Sequence, residues 1–156
     1  MIQIIIRQIQ KKDYQSTIET IHDSIKGSFP KIRPRELTPY FCEKYSYHRF
    51  VKRAKSIMMF VAVDSQEDKV VGVIGLRDNQ LRTFFVRTCY QNKGIGRQLY
   101  ERLELEARNQ GVTRITLEGS PFGVQAYKKF GFLLLAEKHK EKWGYLYCDF
   151  VMEKVL

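Results

Sequence analysis

The feature that most constrains this chain is a glycine-bearing turn set between a strand-like and a helix-like run. The turn reads Gln91-Asn92-Lys93-Gly94-Ile95-Gly96-Arg97. An apolar run, Leu81 to Val86, precedes it, and a helix-forming run, Arg97 to Gln110, follows. Two glycines let the backbone turn tightly and leave no side chain between its amides and a ligand. The first N–H groups of the helix have no partner inside it. Such a turn attracts phosphate, through free donors and the positive end of the helix dipole. It is neither the dinucleotide pattern G-x-G-x-x-G nor a phosphate loop ending in Lys-Ser/Thr. An ordinary strand-to-helix connection with two glycines is the competing reading.

The rest of the chain supplies an α/β setting. Ile2 to Arg7 reads as a strand and Lys12 to Lys26 as a helix, with Ile18, Ile21 and Ile25 at helical spacing and Asp13 as its cap. Gly27 to Pro39 reads as a loop and Tyr40 to Lys55 as a second helix. Ile57–Val63, Val70–Leu76 and Leu81–Val86 form an antiparallel meander. In the helix after the turn, Ile95, Leu99, Leu103 and Ala107 make a buried stripe, and Gly111 stops it. Val112 to Leu117 returns as a strand, and a right-handed crossover makes it parallel to the strand before the turn. Ser120-Pro121 opens a helix running to Phe130. Phe132–Ala136 is a strand, Glu137–Trp143 a charged turn and Gly144–Met152 a last strand.

At 156 residues, with 44% apolar residues, 10 Phe and 9 Tyr, the chain forms one domain around one core. No apolar run is long enough to span a membrane. Cys42, Cys89 and Cys148 are odd in number and widely spaced, which fits free thiols in the cytoplasm. His22, His48 and His139 show no metal-ligand spacing with one another or with the cysteines. The net charge is +10, and residues 1–56 carry 12 Lys and Arg against 5 Asp and Glu. An anionic partner fits that excess: nucleic acid, an acidic small molecule or a phosphorylated cofactor.

Downstream of the turn stands Tyr127-Lys128-Lys129-Phe130-Gly131-Phe132. Alone it is a helix end whose aromatics pack and whose glycine terminates. Taken with Phe85-Val86-x4-Gln91-x-x-Gly94-x-Gly96, it resembles the GNAT N-acetyltransferase superfamily. That signature is Q/R-x-x-G-x-G/A after a strand, with Y-x-x-x-G-F downstream. The element order matches over the whole chain, well from Ile57 to Met152 and poorly from Lys11 to Ser56.

The resemblance implies an α/β (α+β) single domain over residues 1–156: a mixed sheet of six or seven strands, splayed in the middle and flanked by four helices. It implies acetyl-CoA as co-substrate and direct transfer to a primary amine. Asn92, Lys93, Gly94, Ile95, Gly96 and Arg97 would wrap the pyrophosphate with backbone amides, and Gln91 belongs to the same cofactor-binding turn. Phe84, Phe85 and Val86 would form the edge that pairs with the pantetheine arm, a backbone N–H near Phe85 or Val86 holding the thioester oxygen. Ser120 would contact pantetheine or cap its helix, and Phe130 belongs to the second motif. Tyr127 would protonate the departing thiolate, and Glu118 is either the general base or a strand-end surface carboxylate. No metal is implied, and a homodimer is the assembly common in the family.

The chemistry sets three demands. A lysine-type amine, with pKa near ~10.4, must lose a proton before it attacks. The oxyanion needs a donor, whose removal typically costs ~10²–10³ in rate. The thiolate needs a proton, which a tyrosine of pKa near ~10 can donate. Arg33, Arg35, Arg49, Lys52 and Arg53 crowd the region assigned to the acceptor, beside the N-terminal helices and the 57–79 hairpin, so an acceptor with an acidic group is favoured. Two other readings stand beside this one: a CoA-binding GNAT fold without catalysis, and a basic nucleic-acid-binding module, for which no recognition motif is visible.

Overall fold

The computed structural model describes residues 2–156. Its four N-terminal strands, β1 (Ile4–Gln8), β2 (Met58–Asp64), β3 (Lys69–Arg77) and β4 (Gln80–Val86), pair antiparallel in that order. β5 (Arg114–Gly119) lies parallel to β4, and β7 (Tyr145–Val155) pairs antiparallel with β5. β6 (Leu133–Lys142) closes the far edge, giving the order β1-β2-β3-β4-β5-β7-β6. This is the mixed, centrally splayed sheet that the resemblance implies.

Helices cover both faces. On one lie α1 (Tyr14–Ser28), α2 (Thr38–Glu43) and α3 (Tyr47–Ser56), packed through Ile18, Ile21, Ile25, Phe41 and Phe50 onto Met59, Val61 and Val73. On the other lie α4 (Ile95–Asn109) and α5 (Val124–Lys129). The stripe Ile95, Leu99, Leu103 and Ala107 is buried against Phe60, Ala62, Ile74 and Ile115, as its spacing predicts.

Four local expectations are corrected. Asp13 does not cap α1; its carboxylate accepts from the Arg7 guanidinium at 2.7 and 2.9 Å and from the Gln10 N–H at 2.7 Å. α1 runs through Gly27 to Ser28; at Gly27 the helix passes the Thr88 side chain, which leaves no room for a Cβ. The second helix is two, α2 and α3, broken at Ser46, whose backbone is extended. The stretch from Glu137 is strand up to Lys142, and only Trp143-Gly144 turns, both with positive φ (53° and 80°), as a two-residue hairpin turn requires. Charge hid that strand: alternation there is between charged faces, with no apolar face to read.

Candidate active site at the sheet splay

β4 and β5 are joined only at Gln80–Thr116 and Leu81–Leu117, after which they separate. A bulge sits at the parting point: Leu76 pairs with Leu81 but Gly75 pairs with Thr83, so Arg82 is the extra residue. From Thr83 onward the β5-facing edge of β4 has no strand partner among the described residues. The Arg87 N–H donates to Val71 O at 2.8 Å, which fixes the alternation of the β3–β4 ladder. The N–H groups of Phe84 and Val86 therefore point the other way, into the gap. Of the two residues named for the thioester oxygen, Val86 offers its N–H to the gap and Phe85 gives its own to β3.

The gap opens into a cleft of about 640 Å³. Phe84, Phe85, Val86, Gln91, Asn92, Ile95, Gly96, Arg97, Glu118, Ser120, Tyr127 and Phe130 all line it. Lys93 and Gly94 are exposed members of the turn that do not.

The turn is built to leave amides free. Asn92 (φ 61°) and Gly94 (φ 83°) are left-handed, and Gly94 is the N-cap of α4. The first N–H of the segment with an acceptor among the described residues is that of Gln98, on Gly94 O at 3.1 Å. Those of residues 92–97 are unpaired, a concave donor array at a helix start that suits a phosphate anion. Gln91 ties this turn to β4, its amide donating to Val86 O at 3.0 Å. Arg97 lies over the Phe130 ring at 5.4 Å, and that ring stacks on Tyr100 at 4.7 Å.

Tyr127 is buried between α5 and the sheet, against Phe84 and Phe132. Gly119 and Gly123 make its room: a Cβ on either would lie 2.9 or 2.8 Å from the ring. Burial, and then the nearby Tyr45 phenol, push the Tyr127 pKa upward, so the hydroxyl keeps its proton at neutral pH.

Glu118 is held by the ammonium groups of Lys138 and Lys140, the latter at 3.0 Å. The Lys138 bond comes first, then Lys140, in holding its carboxyl below the usual range, despite partial burial. A carboxylate so engaged is a poor proton acceptor. Lys140 also donates to Asp149 at 2.9 Å, and Asp149 accepts from Arg33 at 2.6 Å. Ser120 is not a helix cap: α5 begins at Val124, Gly123 stands at its N-cap, and the Ser120 carbonyl accepts the Gly123 N–H at 3.0 Å.

The acceptor side also departs from expectation. Residues 57–79 do not line the cleft; Ser24, Ser28, Phe29, Phe41, Lys44, Tyr45 and Asp149 do. Of the five cations assigned there, only Arg33 reaches it. Arg33 is buried, with its guanidinium 4.8–5.1 Å from the ring centres of Phe29, Phe41 and Tyr147. Thr83, which the sequence did not single out, lines the cleft with a buried hydroxyl that has no partner among the described residues. Only the bulge, invisible in the sequence, turns it to that face.

Histidine and cysteine do meet, though not through sequence spacing. His139 and Cys148 are cross-strand partners, and with Glu137 they bring three ligand atoms within 4.8 Å. Alternation places these three on the opposite face of the hairpin from Lys138 and Asp149. No helix among the described residues is long and apolar enough to cross a membrane.

A search of curated proteins finds no match. Solved structures do match, at identities that show the fold. A GCN5-related N-acetyltransferase from Rhodopseudomonas palustris superposes with a TM-score of 0.89 at 18% identity, over 100% of this chain and 98% of that one. The PaiA N-acetyltransferase from Thermoplasma acidophilum, in complex with coenzyme A, gives 0.82 at 22% identity, over 99% of each. An aminoglycoside 6'-N-acetyltransferase complexed with coenzyme A gives 0.65 at 17%, over 97% and 96%. The model of the acetyltransferase (GNAT) domain matches residues 8–154. With its splayed sheet, free-amide turn and a family match along nearly its whole length, this chain belongs to the GNAT acetyltransferases, enzymes that draw their acetyl group from acetyl-CoA.

Proposed function

We propose that the protein is a single-domain N-acetyltransferase that passes the acetyl group directly to a primary amine within a ternary complex. Acetyl-CoA supplies the activated thioester. The carrying observation is the β4–β5 splay: the Val86 N–H faces it, and Tyr127 with the turn residues Asn92, Ile95, Gly96 and Arg97 lines the cleft into which it opens.

Each group has a part set by its chemistry. The free amides of residues 92–97 and the Arg97 guanidinium hold the pyrophosphate. The Phe84 and Val86 N–H groups serve the arm, Val86 holding the oxygen that becomes an oxyanion. As the amine nitrogen bonds to the acyl carbon, the carbonyl pair moves onto that oxygen; when it returns, the carbon–sulfur bond breaks and Tyr127 gives its proton to the sulfur. The amine proton leaves through ordered water, which returns a proton to Tyr127, so the group ends the cycle as it began. Glu118 fixes the hairpin through Lys138 and Lys140 rather than accepting that proton directly. Ser120, at the rim, contacts the arm.

The three free cysteines favour a reducing cytoplasm. A homodimer is the assembly proposed, covering the exposed Leu133, Leu134 and Leu135 of the edge strand. Sedimentation showing only monomer at micromolar concentration removes it. Calorimetry with acetyl-CoA, followed by thiol release across an amine panel, tests the reaction. Binding without release on any amine leaves a CoA-binding protein and overturns the transferase.

A further inference from the structure

We infer that the acceptor is a primary amine carrying both an aromatic or bulky apolar body and a carboxylate, of the aromatic amino acid type. This rests on the acetyl transfer proposed above and adds what the other half of the cleft recognises. That half lies on the α1–α3 face of the sheet, where Phe29, Phe41, Tyr45 and Phe85 line it. The rings meet edge to face: Phe29 with Phe41 at 5.0 Å, and Tyr45 with Phe85 at 5.4 Å. Such a wall takes a ring or a large apolar group and gives little to an extended polar chain.

Charge decides the rest. Among the described residues, the carboxylates lining the cleft are Glu118 and Asp149. Lys138 and Lys140 engage the first, and Arg33 and Lys140 the second. Neither is free to receive a second ammonium, so the cleft offers nothing to the far end of a polyamine. Lys44 is the converse case. It lines the same half, its ammonium 4.9 and 5.4 Å from the ring centres of Tyr40 and Phe41, and has no carboxylate partner among the described residues. An acceptor carboxylate completes that cation.

The amine needs a contact that leaves its lone pair free. The Thr83 hydroxyl is buried, has no partner among the described residues and stands beside the bulge at the mouth of the splay. An acceptor N–H donates to it, and the hydroxyl gains the partner that a buried polar atom requires. Ring to the aromatic wall, carboxylate to Lys44 and amine to Thr83 make three points, enough to aim one nitrogen at the thioester.

The test compares matched probes on the intact protein. Phenylalanine and tryptophan are set against phenethylamine, tryptamine and spermidine, reading thiol release and, separately, calorimetric binding to the protein saturated with CoA. The expected result is kcat/KM at least tenfold higher for the two acids than for their decarboxylated partners or spermidine. Lys44→Met should abolish that preference by raising KM for the acids alone. The exposed-site control Lys52→Met should keep it. Calorimetry should show the same loss of binding in Lys44→Met, independent of turnover. Acetylation of spermidine or the decarboxylated amines equal to or better than the acids overturns the acceptor assignment while transfer stands. Absence of release with every amine overturns both.

Discussion

Gly119 and Tyr127 are in contact so close that any side chain on the glycine would displace the tyrosine ring, since a Cβ there would sit 2.9 Å from Tyr127 Cε2. Phe84 and Phe132 flank the ring, so it cannot simply retreat. Gly119→Ala should therefore cost on the order of 1–3 kcal/mol of stability, the usual range for overpacking. Turnover should drop with it, because the hydroxyl is displaced along with the ring. Thermal unfolding and steady-state kinetics on the same preparation check both.

Tyr127→Phe keeps the ring and removes the proton. Turnover should fall more than tenfold, while acetyl-CoA affinity by calorimetry stays within about twofold, for the role is confined to departure of the thiolate. Because burial raises the phenol's pKa, Tyr127 stays protonated across the neutral and mildly alkaline range. The wild-type rate should show no loss attributable to this group up to about pH 9, where an ordinary phenol of pKa ~10 begins to ionise.

Gly94 and Gly96 should respond differently to alanine. A Cβ on Gly94 meets nothing, but φ is +83°, so the cost of Gly94→Ala is conformational, about 1 kcal/mol. Relaxation of that strain moves the amides of residues 92–97, and the Kd for acetyl-CoA should rise at least tenfold. A Cβ on Gly96 would lie 3.6 Å from Phe84 Cζ, ordinary contact. Gly96→Ala should fold normally, and any loss of affinity must come from its methyl obstructing the ligand.

Glu118→Gln should lower turnover less than fivefold. Its carboxyl pKa is depressed by Lys138 and then Lys140, so it is already charged throughout pH 5–9 and cannot generate an acid limb there. The linkage has a definite sign. The stability this group contributes is present above its unfolded pKa of ~4.3 and is lost as pH falls through the lower folded value. Wild type and Glu118→Gln should converge in stability in acid and be fully separated above about pH 4.3. A kcat/KM limb near neutrality that vanishes in the variant would restore Glu118 as the base.

Arg33 and Asp149 form a buried pair that pins β7 to the turn after α1, 2.6 Å apart. Asp149→Asn leaves a buried guanidinium without its counter-charge, and losses of about 3–5 kcal/mol are typical of such a change. The melting temperature should drop by several degrees. Arg33→Met with Asp149→Leu should recover part of the loss.

How much was legible depended on whether meaning lay along the chain or across it. The Gln91–Arg97 turn, the stripe of α4 and the parallel return of β5 are local patterns, and each appears where the sequence places it. Arg33 and Asp149 are 116 positions apart, and nothing in either segment marks the other. Thr83 was missed for a related reason: the bulge at Arg82 shifts the alternation of β4, and a strand read with strict period two assigns it no special face. β6 reads short in the sequence because its charged residues pair with Glu118 on β5, with Asp149 on β7 and along the strand itself instead of facing an apolar core. The Ser120-Pro121 signature failed since a turn, with the same preferences as a helix start, occupies those positions.

The parting of β4 from β5 after two rungs has a thermodynamic corollary. The molecule folds with an open seam at its centre, lined by main-chain donors that a flexible arm with its own amides can stitch together. Coenzyme is then a structural member as well as a reagent. At a concentration one hundred times its Kd, it should add about 2.7 kcal/mol to the unfolding free energy, and the amides of Phe84 and Val86 should be among those whose hydrogen exchange slows most.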